Sequence, residues 1–289
     1  MAERGRALPG TKAEMTVLQK SHGVKQLVRE PLALTIAGLD PTGGAGATRD
    51  LQVMAVHAVF GVTALTALTV QSTQGVHRVD PVEPGLLGDT LKCLGDAFGV
   101  SGIAGVKIGM LATNAAVGVV ADWLRAAGVP RERVVLDPVI RSSSGAELLE
   151  PDGVRRLVEE LLPVVGWVTP NLDEAGALLG ESAPGRAALP AAAERIAALA
   201  PGLTVVVTGG HLDPPDDFLF MPDGTKQWFP GQPVEAQGRH GTHGTGCAFS
   251  TALLCRLMRG DRPTEAVAGA KAFVVRELSG EPDRAVQPR

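Results

Sequence analysis

From residue 32 onward, short aliphatic runs alternate with longer stretches in which apolar positions recur three or four residues apart. The short runs fit strands buried on both faces, and the longer stretches fit amphipathic helices. Leu32-Ala33-Leu34-Thr35-Ile36-Ala37 is the first run and leads into a glycine-rich loop. The spacing then predicts a helix from Ala47 to Val59 with Leu51, Met54, Ala55 and Ala58 on one face. Val62 to Val70 is β-branched and strand-like, and Val76 to Val79 reads as a short edge strand. Pro84 to Phe98 reads as a helix opened by a compatible proline. Gly105 to Ile108 is a strand, followed by a helix from Asn114 to Ala127, capped by Asn114 and stopped by Gly128. Further strands are predicted at Val134 to Leu136, Trp167 to Thr169 and Leu203 to Thr208, the last clear buried one. Helices fall at Asp152 to Leu162, Asp173 to Leu179 and Leu189 to Leu199. Phe218 to Met221 and Thr225 to Phe229 flank Pro222-Asp223-Gly224, a hairpin signal. Helices from Cys247 to Met258 and Thr264 to Leu278 close the pattern.

Strands separated by helices imply βαβ units, hence an α/β fold with a mainly parallel central sheet and helices on both faces. In such folds ligands sit beyond the carboxyl ends of the strands. The reading assigns residues 1–30 to a flexible extension, 31–279 to a single domain and 280–289 to a flexible tail.

Composition narrows the partners. The net charge of −4, with Lys and Arg scattered, argues against nucleic acid or an anionic membrane as the main partner. Aromatic residues make up 3% with no Tyr, so stacking platforms for single strands are scarce. The three cysteines form no CxxC pair or disulfide framework, which fits a reducing compartment. With no apolar run of membrane-spanning length and no apolar signal-peptide centre, the expected location is the cytoplasm and the expected partner a small molecule.

The polar residues just after each predicted strand would share one rim. They are Asp40 with the loop 43–46, Gln71, Gly109-Met110, Asp137, Asn171 and Glu174, Gly209-Gly210-His211, and the loop from Gly244 to Cys247. The last of these leads from glycine into a helix start, where unpaired N–H groups and the macrodipole favour an anion. A simple turn before a core helix is the alternative. No GxxxxGK[ST] occurs, and no GxGxxG follows the first strand. His240, His243 and Cys247 could ligate zinc, but no fourth ligand is evident and the glycine loop suits an anion better.

Taken in order, Ala37-Gly38-Leu39-Asp40-Pro41-Thr42-Gly43-Gly44-Ala45-Gly46, Gln71-Ser72-Thr73-Gln74-Gly75-Val76, Lys107-Ile108-Gly109-Met110-Leu111, Leu136-Asp137-Pro138-Val139, Thr169-Pro170-Asn171-Leu172-Asp173-Glu174-Ala175, Gly209-Gly210-His211-Leu212 and His243-Gly244-Thr245-Gly246-Cys247 form a series. It resembles the motifs of the hydroxymethylpyrimidine and phosphomethylpyrimidine kinases of thiamine biosynthesis. The resemblance implies the ribokinase-like fold and phosphorylation of the pyrimidine, then of its monophosphate, by ATP with Mg2+. It implies that Gln71 reads the aminopyrimidine, with Gly38, Asp50 and Met110 lining the same pocket. Gly244, Thr245, Gly246 and Cys247 would form the anion hole for the transferred phosphoryl group. Cys247 would act as base, with a thiol pKa lowered by the helix N-terminus. Glu174 and Asp137 would hold Mg2+, and Asn171, Thr208 and Gly210 would approach the nucleotide.

Plainer readings stand beside these. Gln71 could be a solvated strand end, Met110 a core residue, Asp50 a surface or capping charge, and Cys247 a small buried side chain. Glu174 could cap its helix. The family often has Lys where Thr208 stands, and Arg141-Ser142-Ser143-Ser144-Gly145 departs from its usual loop, although Arg141 could supply a phosphate-facing cation. Alternatives to the pyrimidine kinase are a pyridoxal or pyridoxine kinase and a non-catalytic pyrimidine sensor. A homodimer is left open.

Overall fold

The computed structural model describes residues 30–72, 75–142, 145–237 and 241–280. The expected terminal extension and tail lie outside them, apart from Glu30 and Gly280, as do Thr73-Gln74, Ser143-Ser144 and His240.

The strands are β1 (Leu32–Leu39), β2 (Phe60–Ser72), β3 (Gly75–Pro81), β4 (Ile103–Ile108), β5 (Val134–Leu136), β6 (Trp167–Val168), β7 (Thr204–Val207), β8 (Asp217–Phe220) and β9 (Lys226–Phe229). The helices are α1 (Gly46–Val56), α2 (Pro84–Phe98), α3 (Asn114–Ala127), α4 (Pro151–Arg156), α5 (Leu172–Leu179), α6 (Leu189–Ala197), α7 (Thr245–Met258) and α8 (Pro263–Leu278). One sheet has the order β3-β2-β1-β4-β5-β6-β7-β8-β9. Its centre from β2 to β7 is parallel, while β3 on one side and β8 and β9 on the other are antiparallel.

Alternation along the central strands sorts side chains between two cores. Leu34, Ile36, Val106, Ile108, Leu136, Val168, Val205 and Val207 face the core built with α2 to α6. Ala33, Val135, Trp167 and Val206 face the core built with α1, α7 and α8. Burial on both faces explains why these strands read as continuous apolar runs.

The bounds of α2 and α3 fall where the sequence puts them, because Pro84 opens one and Gly128, in a left-handed conformation at φ 65°, closes the other. The cap of α3 is Thr113, whose hydroxyl accepts from the Ala116 N–H at 3.1 Å, rather than Asn114. Helix α1 stops at Val56, three residues before the expected end, with Ala58 left-handed at φ 50°. The last buried strand is β8 instead of β7. Asp217 enters this fully buried strand because its carboxylate accepts from the Gly209 N–H and pairs with Lys271, both at 2.9 Å.

Candidate active site

The carboxyl ends of the parallel strands deliver the expected residues to one rim. Asp40 follows β1 and organises the first glycine loop. Its carboxylate accepts from the N–H groups of Thr42 and Ala45 at 2.8 and 2.9 Å and from the Thr42 hydroxyl at 3.0 Å. Burial raises this carboxyl's pKa, but hydrogen bonds from His243 and Thr42 outweigh it, so the group is held below its ordinary value near 3.8.

The second glycine loop closes against the first. Gly244 sits at φ 74°, and a Cβ there would lie 1.8 Å from the Gly44 carbonyl oxygen. Glycine is therefore required on both counts. Beyond it Thr245, Gly246 and Cys247 form the first turn of α7, so the loop leads into a helix start as the sequence predicts. A Cβ on Gly246 would reach Asp137 at 3.8 Å, so this turn lies against the carboxylate that follows β5.

One wall of the rim is apolar. Met110 packs with Ala67, Ala112 and Leu148, with Val76, Val79 and Val139 partly buried around them. The β1–β2 register slips at Gly38, where an added Cβ would meet the Met110 sulfur at 3.0 Å. The β2–β3 register also slips between Val70 and Gln71, as bulges beside active sites do when they re-aim a side chain. The Gln71 amide meets the His243 ring at 2.9 Å and the Asp40 carboxylate at 3.5 Å, so it is engaged with the rim rather than solvated.

Two expectations change. Asp50 does not line this wall, nor is it a surface charge. It is fully buried under the rim, where Lys107 donates to it at 3.0 Å, Thr35 at 2.6 Å and Thr251 at 2.8 Å. Cys247 does not gain acidity from its helix terminus. Burial pushes its thiol up to about 12 against the pull of Lys107, with Asp137 and Asp50 adding to the rise.

Glu174 is buried and closes a capping box with Asn171: the Asn171 N–H donates to the Glu174 carboxylate and the Glu174 N–H to the Asn171 Oδ1, both at 2.9 Å. Burial, and then the nearby Asp137 charge, push Glu174 well above the usual carboxylate range. Burial likewise raises Asp137, against the attraction of Lys107 and a hydrogen bond from Ser250. Two buried carboxylates that disfavour each other's charge suit a hard divalent cation completed by phosphate and water oxygens. Among the described residues no group of three His, Cys, Asp or Glu could hold a metal by itself. His240 lies outside them, and His243 is engaged with Asp40 and Gln71.

Beyond the ends of β6 and β7, Thr208 pairs with Asn171, and its N–H donates to the Pro170 carbonyl at 2.9 Å. Gly210 is exposed beside them. Arg141 is exposed and pairs with Glu147 at 3.9 Å.

Lys107 and His243 emerge as site-building residues to which sequence reasoning gave no such role, and Asp40, placed on the rim from the sequence, proves to organise it. The available signal was a lysine inside the apolar run Val106-Lys107-Ile108, which a buried strand tolerates only with a partner.

The profile of the phosphomethylpyrimidine kinase family matches residues 40–286. A hydroxymethylpyrimidine/phosphomethylpyrimidine kinase from Salmonella typhimurium is 39% identical over 250 residues, covering 86% of this chain and 90% of that one. The thiamine biosynthesis multifunctional protein ThiED of Corynebacterium efficiens is 38% identical over 256 residues, and the match covers 88% of this chain and 33% of that protein. Among solved structures, a phosphomethylpyrimidine kinase from Clostridium difficile superposes with a TM-score of 0.72 at 29% identity, covering 85% of this chain and 98% of that one. The pyridoxal kinase of Staphylococcus aureus in complex with AMP-PCP gives 0.76 at 29% identity, covering 86% and 88%. The fold is thus the ribokinase-like one shared by both kinds of kinase.

Proposed function

The chain belongs to the phosphomethylpyrimidine kinase family, and from that premise we propose that it transfers the γ-phosphoryl group of ATP to 4-amino-5-hydroxymethyl-2-methylpyrimidine and then to the monophosphate, yielding the diphosphate for thiamine biosynthesis. The observation that carries this reading is the distance from ring reader to cradle. The Gln71 amide lies 2.9 Å from His243, the residue immediately before the glycine that opens the phosphoryl loop. A substrate read by Gln71 must therefore carry its reactive hydroxymethyl group close to the edge that the amide recognises, as the aminopyrimidine does.

The residues divide the work. Gln71 pairs with the ring nitrogen and exocyclic amine, while Met110, fitted against Gly38, supplies the apolar wall. The N–H groups at the start of α7 receive the transferring phosphoryl oxygens, and aligned donors of this kind supply much of the catalysis in phosphoryl transfer. Asp137 and Glu174 would hold Mg2+, which when bound neutralises phosphate charge. Asn171, Thr208 and Gly210 approach the nucleotide. No helix among the described residues is long and apolar enough to cross a membrane. Small soluble substrates support work in the cytoplasm.

The likeness to pyridoxal kinases supports a second reading, in which a pyridoxine-type ring takes the pyrimidine's place. Steady-state kinetics with ATP and each acceptor separates the two. The expected result is efficient pyrimidine turnover, with mono- and diphosphate products resolved by mass. Pyridoxine phosphorylated well and the pyrimidine untouched would reverse the assignment.

A further inference from the structure

The two ends of the Gln71 amide are not equivalent once its neighbours are counted. Thr69 and Gln71 project from the same face of β2, while Leu68 and Val70 point outward and are 49% and 55% exposed. On the inner face the His243 Nε2 lies 2.9 Å from the Asp40 Oδ2 and 2.9 Å from the nearer end of the amide. Asp40 already receives three donors from its own loop and is held in its ionised form. A carboxylate can only accept, so His243 must carry its hydrogen on Nε2 and donate it. That nitrogen then has no lone pair for an amide N–H, so the amide end it faces is the carbonyl oxygen, which shares the single Nε2 hydrogen with the Asp40 Oδ2 3.5 Å away in a three-centre bond.

The other end agrees. The Thr69 hydroxyl donates to the Leu39 carbonyl at 2.9 Å, which leaves its oxygen free to accept from the amide end 3.3 Å away. The NH2 group belongs there. The placement of oxygen and nitrogen in an amide is decided by such partners, and here both partners agree.

We propose that His243, held by Asp40, is a positioning residue that locks the Gln71 amide with its oxygen toward the phosphoryl loop and its NH2 toward Thr69, and so selects for a 4-amino over a 4-oxo pyrimidine. This rests on the reading of Gln71 as the ring reader. The polarity matches the substrate. In the aminopyrimidine the exocyclic amine, a donor, is attached next to the carbon bearing the hydroxymethyl group, and the ring nitrogen, an acceptor, lies on its far side. The amide oxygen beside the transfer loop meets the amine, and the NH2 meets the ring nitrogen. A 4-oxo ring offers an acceptor and then an N–H, the reverse order, and an amide that cannot turn rejects it.

The test compares kcat/KM for 5-hydroxymethyl-2-methylpyrimidine bearing a 4-amino or a 4-oxo group. His243→Ala frees the amide to rotate, and the amino-over-oxo preference is expected to fall by ~10-fold or more, the ratio that about 1.4 kcal/mol commands. His243→Gln, which restores a donor near the Nε2 position, should recover most of the preference. Equal losses on both substrates in His243→Ala, with the preference intact, would show that the histidine only supports the loop. Gln71→Ala separates the underlying reading: a preference unchanged in that variant means Gln71 does not read the ring, and the inference falls with it. A parent protein that phosphorylates neither pyrimidine would overturn the functional assignment itself.

Discussion

Cys247 sits where a helix terminus should make a thiol more acidic, and burial reverses that tendency. The terminus acts on a sulfur that is almost out of reach of water and shares its space with two carboxylates, so the neutral form wins and the pKa reaches about 12. At rest the side chain is a thiol and not a nucleophilic thiolate. It should therefore resist alkylation at mildly alkaline pH. Cys93 is exposed while Cys247 and Cys255 are buried, so iodoacetamide followed by peptide mass analysis should mark Cys93 first and leave Cys247 unmodified. Rapid loss of Cys247 would show that the site opens more readily than its packing implies. Inertness toward reagents does not remove the thiol from transfer. The substrate hydroxyl must lose its proton as the new P–O bond forms, and Cys247→Ala should lower kcat by ~10²-fold or more, the scale of an acid–base group, with the pyrimidine KM near that of the parent. An unchanged kcat would mark the cysteine as packing alone.

Helix α5 shows how one side chain can serve both structure and chemistry. The sequence left Glu174 divided between cap and metal ligand, and the capping box is formed, yet its carboxylate also lies buried near Asp137. The sign of the consequence follows from linkage. Its folded pKa lies above the ordinary value near 4.5, so the folded protein disfavours the charged form. Stability is then greatest below that pH and declines as the pH rises toward the folded pKa. Glu174→Gln keeps an oxygen for the Asn171 N–H and removes the charge. It should raise the melting temperature at neutral pH by roughly a few degrees, the gap closing as the pH falls toward the ordinary carboxyl value. Mg2+ with ATP should stabilise the parent more than the variant, and activity should drop. Differential scanning calorimetry across pH checks the first part, and a variant less stable than its parent at neutral pH would place the cap above the charge in importance. Elements with local punctuation were legible from the sequence: Pro84 and Gly128 mark α2 and α3 without any tertiary information. Strand β8 was only partly so, because Asp217 looks like a strand breaker until Lys271 and the Gly209 N–H are beside it. The rim residues could be gathered from strand ends alone. The contact of Asp40 and Gln71 with His243 could not, since His243 lies 203 and 172 residues from them and only the closed sheet brings them together.

At the scale of the whole molecule, the two faces of the sheet are not filled alike. The face toward α2 to α6 is apolar, whereas the face toward α1, α7 and α8 carries a polar plug directly under the two glycine loops. Lys107 of β4 is its centre: fully buried, held charged against the cost of burial by Asp50 and then by the Asp137 charge, and joined through Asp50 to Thr35 of β1 and Thr251 of α7. The plug thus ties the middle of the sheet to both helices that follow the glycine loops. Replacing one partner of a buried pair strands the other, which typically costs ~3–5 kcal/mol. Lys107→Met should lower stability by that order, because Asp50 would be left with hydroxyl donors and no counter-charge. Asp50→Asn should do the same by stranding the ammonium group. Combined, Lys107→Met and Asp50→Asn remove both charges while the asparagine oxygen still accepts from a threonine hydroxyl, so the double variant should lose much less than the sum of the two. Urea denaturation of all four proteins gives the cycle. Losses that simply add would mean that the two charges are balanced by the surrounding groups instead of by each other, and that Asp137 rather than Asp50 is the counter-ion that keeps a lysine inside the sheet.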